Sequence, residues 1–205
     1  MNALKQYWRS CLLFLSVSLL AVPVAAQRGA ITLPQNLVQL TDKAETIVHG
    51  RIVRARVEPH PQYKNLNSVV VTVAVKESLK GAPGKTISFR QFIWDPRDKF
   101  DLAGYRRGDE VILFLNKITE IGFTSPVGLQ QGRFLVQTDK TGQRVAVNGQ
   151  DNARLLEGIS DQRATAHLSK RAKLALAQRS QFPGPLPVDV LEETVRALVS
   201  DGGAQ

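Results

Sequence analysis

The chain has 205 residues, of which 43% are hydrophobic and 22% charged, and its formal net charge is +9. This composition excludes a wholly disordered or collagen-like chain, and the length suits one domain of ordinary size with an appendage. The excess of cations favours encounters with polyanions such as envelope lipids or polysaccharides. An excess of one charge is also a common device for keeping a protein soluble.

The first 26 residues have the pattern of an export signal. Lys5 and Arg9 precede a mainly apolar stretch at residues 12–22, and a run of small residues ends at Ala26. We expect cleavage before Gln27 and export to the periplasm or the medium, with no transmembrane helix left. An uncleaved anchor is disfavoured, because about eleven helical residues span only about 16 Å of a hydrocarbon core about 30 Å thick.

The residue types that most catalytic sites require are scarce. The single cysteine, Cys11, and the single methionine, Met1, both precede the expected cleavage site, so the mature chain has no thiol for catalysis, disulfides or metals. The histidines His49, His60 and His167 are dispersed, and no metalloprotease or nucleophile-elbow motif occurs. We therefore predict no enzyme, no cofactor and no metal site, and we interpret His49 as a core or bulge histidine.

Strand patterns follow a short helical lead-in at residues 35–45. Residues 46–57 are rich in β-branched residues and are interrupted by Gly50, which predicts a bulge or a bend within one long strand. Alternating valines in residues 68–79 predict a half-buried strand, and a turn at residues 80–85 ends it.

Further strands are predicted at residues 86–94, 110–115, 133–138 and 144–147, and the second of these is apolar on both faces and should be central. Closely spaced strands without long interleaved helices predict a mainly β fold, an antiparallel OB-like barrel within a domain of residues 27–148. The predicted core contains Val71, Val73, Ile87, Phe89, Val111, Leu113 and Phe134.

The pattern becomes helical after the barrel. Residues 149–180 form a basic extension whose amphipathic helix, residues 163–179, contains no acidic residue between its ends. Residues 181–187 form a proline-rich linker that no helix can cross. Residues 188–205 are predicted to form a C-terminal helix and a frayed tail. The apolar stripe of this helix consists of Leu191, Val195 and Leu198.

Four segments of the β region, residues 44–53, 71–81, 108–115 and 127–134, resemble a family of uncharacterised bacterial exported proteins. The first two also resemble the start of the netrin-like module, the OB-type barrel of tissue inhibitors of metalloproteinases. The resemblance implies an OB-like barrel across about residues 40–136. It does not imply inhibition, because those inhibitors chelate zinc through an N-terminal cysteine and the mature chain would begin at Gln27.

Two functions from different classes remain open. The first is a non-enzymatic binding module whose loops, residues 58–67 and 94–107, hold an exported or envelope protein or a glycan. Its candidate partner-binding residues are Tyr63, Trp94, Arg97, Tyr105, Arg106 and Arg107. The second is binding of a polyanion or an anionic membrane surface through the basic helix. Its candidate residues are Arg163, Lys170, Arg171 and Lys173. No motif indicates specific nucleic-acid binding, and the aromatic residues could instead merely cover the ends of the barrel.

Overall fold

The computed structural model describes residues 32–202, which form one antiparallel sheet and three helices. The expected export signal and residues 203–205 of the expected tail lie outside the described residues. Within residues 32–202, none of the helices has the length and hydrophobicity that a membrane span requires. The elements in chain order are helix α1 (Leu37–Lys43), strands β1 (Thr46–Pro59), β2 (Asn67–Lys80), β3 (Thr86–Phe92), β4 (Glu110–Leu115), β5 (Arg133–Thr138) and β6 (Arg144–Asn148), helix α2 (Lys170–Gln181), strand β7 (Leu186–Pro187) and helix α3 (Val188–Gly202).

The mainly β, antiparallel architecture is confirmed, but the sheet is open. Its strand order is β3-β2-β1-β4-β5-β6-β7, and each neighbouring pair is antiparallel. Closure into the predicted barrel would require the two outer strands to pair. Instead, β3 meets the β4–β5 loop through a hydrogen bond from the Thr124 N–H to the Arg90 carbonyl (2.9 Å).

The predicted irregularity in β1 is confirmed at Gly50. The pairing register with β2 shifts between His49 and Gly50, as expected for a bulge. A Cβ atom at residue 50 would lie 2.6 Å from Val73 Cγ1 and would also contact the Ala74 carbonyl oxygen. Strand β2 therefore approaches the β1 backbone so closely that only glycine fits.

The sheet carries a hydrophobic core on each face, whereas the sequence pattern predicted one core inside a barrel. Strand β4 is central and buried on both faces, as predicted. Its residues Val111 and Leu113 join one core with most of the predicted residues. Phe134 lies in the other core, which the helices cover. All the predicted core residues are buried except Ile87, which is half-buried.

The C-terminal helices pack against the sheet. The predicted continuous helix at residues 163–179 is interrupted: a 3₁₀ turn, Arg163–His167, precedes Ser169, whose hydroxyl accepts a hydrogen bond from the Ala172 N–H and starts α2. The proline-rich segment ends α2 and then supplies β7, which pairs with β6. Helix α3 buries Leu191, Val195 and Leu198, and this stripe was correctly predicted.

Candidate functional site

The predicted partner-binding residues divide into exposed and buried positions. Trp94 is 64% exposed and Tyr63 is 45% exposed. Arg106 and Arg107 are exposed in the loop before β4. Tyr105 is different, because only 1% of it is exposed. Tyr105 therefore cannot contact a partner in this structure, and its assignment as a binding residue is corrected to a core residue.

Tyr105 anchors its loop to the sheet. Its ring makes an edge contact with Phe89 (centroids 5.7 Å apart), and its hydroxyl donates to Gln91 Oε1 at 2.7 Å. The Arg133 guanidinium lies 4.6 Å from the ring centroid, which is a cation–π geometry. Burial raises the pKa of Tyr105 to about 12, although the nearby charge of Arg133 opposes the increase.

Five rings form a continuous row that joins three segments distant in sequence. Tyr63 stacks on His60 (5.2 Å), and His60 contacts Phe123 (5.0 Å). Phe123 contacts Phe92 (5.8 Å), and Phe92 contacts Trp94 (4.9 Å). These residues belong to the β1–β2 loop, the end of β3 with the start of the loop that follows it, and the β4–β5 loop. We call the five residues the aromatic row, and its two ends are the exposed Tyr63 and Trp94.

His60 organises the row and is more than the simple loop residue that the sequence suggested. It is buried, its Nε2 lies 2.7 Å from the Ile121 carbonyl oxygen, and its Nδ1 is close to the backbone N–H groups of Gln62 and Tyr63. A carbonyl only accepts and an N–H only donates, so Nε2 acts as the donor and Nδ1 as the acceptor. The two loops are thereby fixed to each other through one imidazole.

Arg97 lies three residues after Trp94 and forms an ion pair with Asp95. Its Nε and Nη2 lie 2.9 and 2.5 Å from Asp95 Oδ2, and the Asp95 side chain also caps the 3₁₀ turn Pro96–Lys99. The hydrogen bond that Arg97 donates to Asp95 and the negative charge of Asp95 raise the pKa of Arg97. The guanidinium is therefore exposed at a fixed position beside the Trp94 end of the aromatic row.

The basic helix is less available to a polyanion than its sequence suggested. Arg171 forms an ion pair with Asp189 of α3 (2.8 Å), and Lys173 donates to the Ala166 carbonyl at 2.8 Å. Lys170 is exposed. The side chain of Arg163 is not among the parts of the chain that the structure describes. Two cations of this helix therefore have contacts within the chain, although both side chains are exposed.

A second polar cluster lies where β1, β4 and α3 meet. His49 is 5% exposed, its Nδ1 is 2.5 Å from Glu192 Oε1, and its Nε2 is 2.8 Å from Glu110 Oε1. A doubly protonated imidazole can donate to both carboxylates, whereas a neutral ring can donate to only one. We call His49, Glu110 and Glu192 the His49 cluster. It fastens helix α3 to the sheet through charge-assisted hydrogen bonds.

Cations surround Glu110 in this cluster. Lys76 contacts its Oε1, Arg144 Nη2 lies 2.5 Å from the same atom, and Arg51 Nη2 lies 3.6 Å from Oε2. Burial alone would raise the pKa of Glu110. The hydrogen bonds from Lys76 and His49 and the charge of Arg144 outweigh burial, so the pKa of Glu110 lies below its ordinary value.

Sequence reasoning placed His49 correctly, since it is buried at the bulge, but missed both of its carboxylate partners. Glu192 is 143 positions away, and no local pattern connects the two residues. The one usable signal was Glu110, a charged residue at the start of a strand that is otherwise apolar on both faces. Within the described residues, no group of three His, Cys, Asp or Glu side chains is arranged to hold a metal ion.

Comparison with known proteins yields no relative: no family model, no curated sequence and no solved structure matches the chain. The fold and the candidate site define an open antiparallel sheet with one helical layer and an aromatic row that joins loops distant in sequence.

Proposed function

We propose that this chain is an exported, non-enzymatic binding protein that holds a partner, an exported or envelope protein or a glycan, at the ends of its aromatic row. The observation that carries the proposal is the row itself, which joins three loops and leaves Trp94 64% exposed. Aromatic residues and arginines are the side chains most often found at the energetic centre of interfaces. Arg97, Arg106 and Arg107 are exposed in the loop that follows Trp94.

The rigidity of the row supports this proposal. A partner that binds a mobile side chain must overcome the entropy of ordering it, about 0.5–1.5 kcal/mol for each immobilised side chain. Trp94 is supported by Phe92, and Tyr63 is supported by His60, so much of that ordering has already occurred on folding. A preorganised pair of exposed aromatic side chains is well suited to binding a partner.

We also propose that the sheet is related to the OB-like barrel of the netrin-like module. This relation is supported by the long bulged strand β1, by its pairing with β2 over the whole length, and by the end of β2 at Lys80, immediately before Gly81. The zinc-chelating activity of the inhibitors forms no part of the proposal.

A capture experiment tests the binding site. Wild type and a Trp94→Ala/Tyr63→Ala variant are used as baits for envelope extracts at low and at physiological salt. We expect the variant to lose the captured partner at both salt concentrations, because contact through aromatic side chains depends little on screening. Leu174→Ala/Phe182→Ala is the matched control, since it also removes two exposed apolar side chains, at α2 and the residue after it.

Two results would contradict the loop site. Equal capture by wild type and the aromatic variant would exclude the aromatic row. Capture that disappears at physiological salt in both proteins would favour the basic helix, which Lys170→Ala then tests directly. Export is tested separately by the intact mass of the exported protein, for which we expect a chain that begins at Gln27.

A further inference from the structure

The two outer edges of the sheet are protected to different degrees. At one edge, β7 has only two residues, one of them is Pro187, and helix α3 begins immediately after it. Short length and proline keep an edge strand from pairing with another chain. The other edge, β3, has seven residues, no proline and an unbroken register with β2. It lacks each of these protections.

The only charged residue of β3 does not guard its edge. Arg90 is turned across the sheet, where its Nη1 donates to Ser68 Oγ at 2.7 Å and its Nη2 lies 3.3 Å from Glu58 Oε2. Ser68 belongs to β2 and Glu58 to β1, so both lie on the inner side of β3. A charged side chain that faces an incoming strand is a common guard, and Thr86–Phe92 presents none.

The backbone of β3 directs unpaired groups outward. In an antiparallel strand, the N–H and C=O of alternate residues point to the same side. The Lys85 carbonyl accepts a hydrogen bond from β2, whereas the Arg90 carbonyl accepts one from Thr124 on the opposite side. Ser88 and Thr86 therefore direct their backbone groups away from β2, and both are exposed. Among residues 32–202, no backbone group pairs with either of them there.

A pocket opens beside this edge. Ile118 and Thr124 of the β4–β5 loop form one wall, and Val70 and Ser88 lie on the sheet side. A strand laid along Ser88 and Thr86 would project alternate side chains toward this face of the sheet. One of them would enter the pocket, where the exposed Ile118 side chain favours an apolar residue.

On the basis of the proposed function, we propose that the partner is a protein whose contact segment is an extended peptide that adds to β3 as an eighth strand. The Thr124–Arg90 hydrogen bond already forms the first rung of such a ladder, and Ser88 and Thr86 provide the next two. Phe92 ends the same strand and supports Trp94, so the open edge and the aromatic row both include β3.

A second copy of this chain is the competing occupant. Its own β3 is flanked by a β4–β5 loop that is bonded to Arg90. Two copies paired edge to edge would therefore bring both loops into the space that the opposite strand needs. A flexible peptide carries no such loop and can stop before Thr124.

The test removes one backbone N–H that points outward from β3 and leaves the hydrogen bonds between β2 and β3 in place. Ser88→Pro deletes an N–H that points away from β2, and proline is tolerated on an edge strand at such positions. Ser88→Ala is the matched control, because it removes the hydroxyl that contacts Thr72 but keeps the N–H. Each protein is first checked by thermal unfolding. The probe is a phage-displayed library of random heptapeptides selected on the wild type.

We expect the enriched peptides to carry alternating apolar residues and to bind Ser88→Pro about tenfold more weakly than wild type, since about one backbone hydrogen bond is lost. Binding to Ser88→Ala should stay within about twofold. Amide exchange at Ser88 should slow when the peptide is added. Failure to enrich any peptide, or equal binding to the proline variant, would overturn the proposal, and so would a wild-type dimer that Ser88→Pro converts to monomer.

The two proposals fail separately. If Ser88→Pro binds the peptides normally while Trp94→Ala/Tyr63→Ala loses the envelope partner, the proposal of an added strand is wrong and the proposal of an aromatic site stands. If Ser88→Pro abolishes peptide binding while the aromatic variant still captures the partner, the proposal of an added strand stands and the proposal of an aromatic site is wrong.

Discussion

His49 Nδ1 and Glu192 Oε1 lie 2.5 Å apart although 143 positions separate them in the sequence. The histidine is fixed in β1 at the bulge, and the glutamate lies on α3, beside the apolar stripe that packs on the sheet. The contact therefore joins the last helix to the centre of the sheet. Because both side chains are nearly buried, removal of His49 deprives the Glu192 carboxylate of its hydrogen bond from the sheet and leaves it only the longer ion pair with Arg196, at 3.7 Å on the same helix.

Replacement of His49 should be costly. His49→Phe keeps the volume of the ring but leaves the Glu192 carboxylate without a donor from the sheet, and we expect the free energy of unfolding to fall by about 2–4 kcal/mol. Urea unfolding measures the loss. Arg171→Ala, which breaks an exposed ion pair to the same helix, is the control and should cost less than about 1 kcal/mol. Equal midpoints for wild type and His49→Phe would show that the cluster does not stabilise α3.

Acid should weaken the fold through Glu110. The folded-state pKa of Glu110 is lowered, because hydrogen bonds from Lys76 and His49 outweigh its burial. Its stabilising effect is therefore complete above the ordinary range of a glutamate, roughly pH 4–5, and is lost as the pH falls through the lower folded value.

The measurement compares the unfolding free energy of wild type and Glu110→Gln from neutral pH downward. We expect the wild type to be more stable at neutral pH and the difference to shrink below the ordinary glutamate range. A difference that stays constant or grows on acidification would contradict the depressed pKa of Glu110.

Much of the fold could be predicted because its local signals are strong. The β-branched run with Gly50 predicts the long bulged strand, and the doubly apolar pattern of residues 110–115 predicts the central position of β4. Closure of the sheet could not be predicted in the same way. It depends on whether the outer strands meet, and in this chain β3 instead meets the β4–β5 loop through a hydrogen bond from Thr124.

The candidate site could be predicted only in part, for a similar reason. The local sequence of an aromatic residue in a loop does not show whether its side chain points outward, as that of Trp94 does, or inward, as that of Tyr105 does. The direction is decided by tertiary partners, which for Tyr105 are Phe89, Gln91 and Arg133. The role of His60 was missed because it depends on the backbone of a loop about sixty residues later.

Tyr105 should ionise only in strong alkali while the protein is folded. Burial raises the pKa of Tyr105 to about 12, so the folded state holds its proton longer than the unfolded chain does. The stabilisation is complete below the ordinary tyrosine value near 10 and is lost as the pH rises through about 12. Ultraviolet titration of phenolate absorbance should show a late step that Tyr105→Phe removes. A late step that persists in this variant would contradict the assignment.

Gly50 should tolerate no side chain. In Gly50→Ala, the new methyl group would overlap the Ala74 carbonyl oxygen and Val73 Cγ1, and such overpacking costs about 1–3 kcal/mol. Gly202→Ala is the control, because nothing lies within 4 Å of its Cβ position in α3 and alanine favours a helix. Urea unfolding should show a loss for the first variant and none for the second.

The strain introduced by Gly50→Ala should also affect the adjacent residue, His49. The methyl group would push β1 away from β2 at the bulge and move His49 relative to Glu192. The free-energy losses of Gly50→Ala and Glu192→Gln should therefore not add, and the double variant should lose less than their sum, by about 0.5 kcal/mol or more. Additive losses would mean that the bulge and the His49 cluster are independent, and that Gly50 serves only the close approach of the two strands.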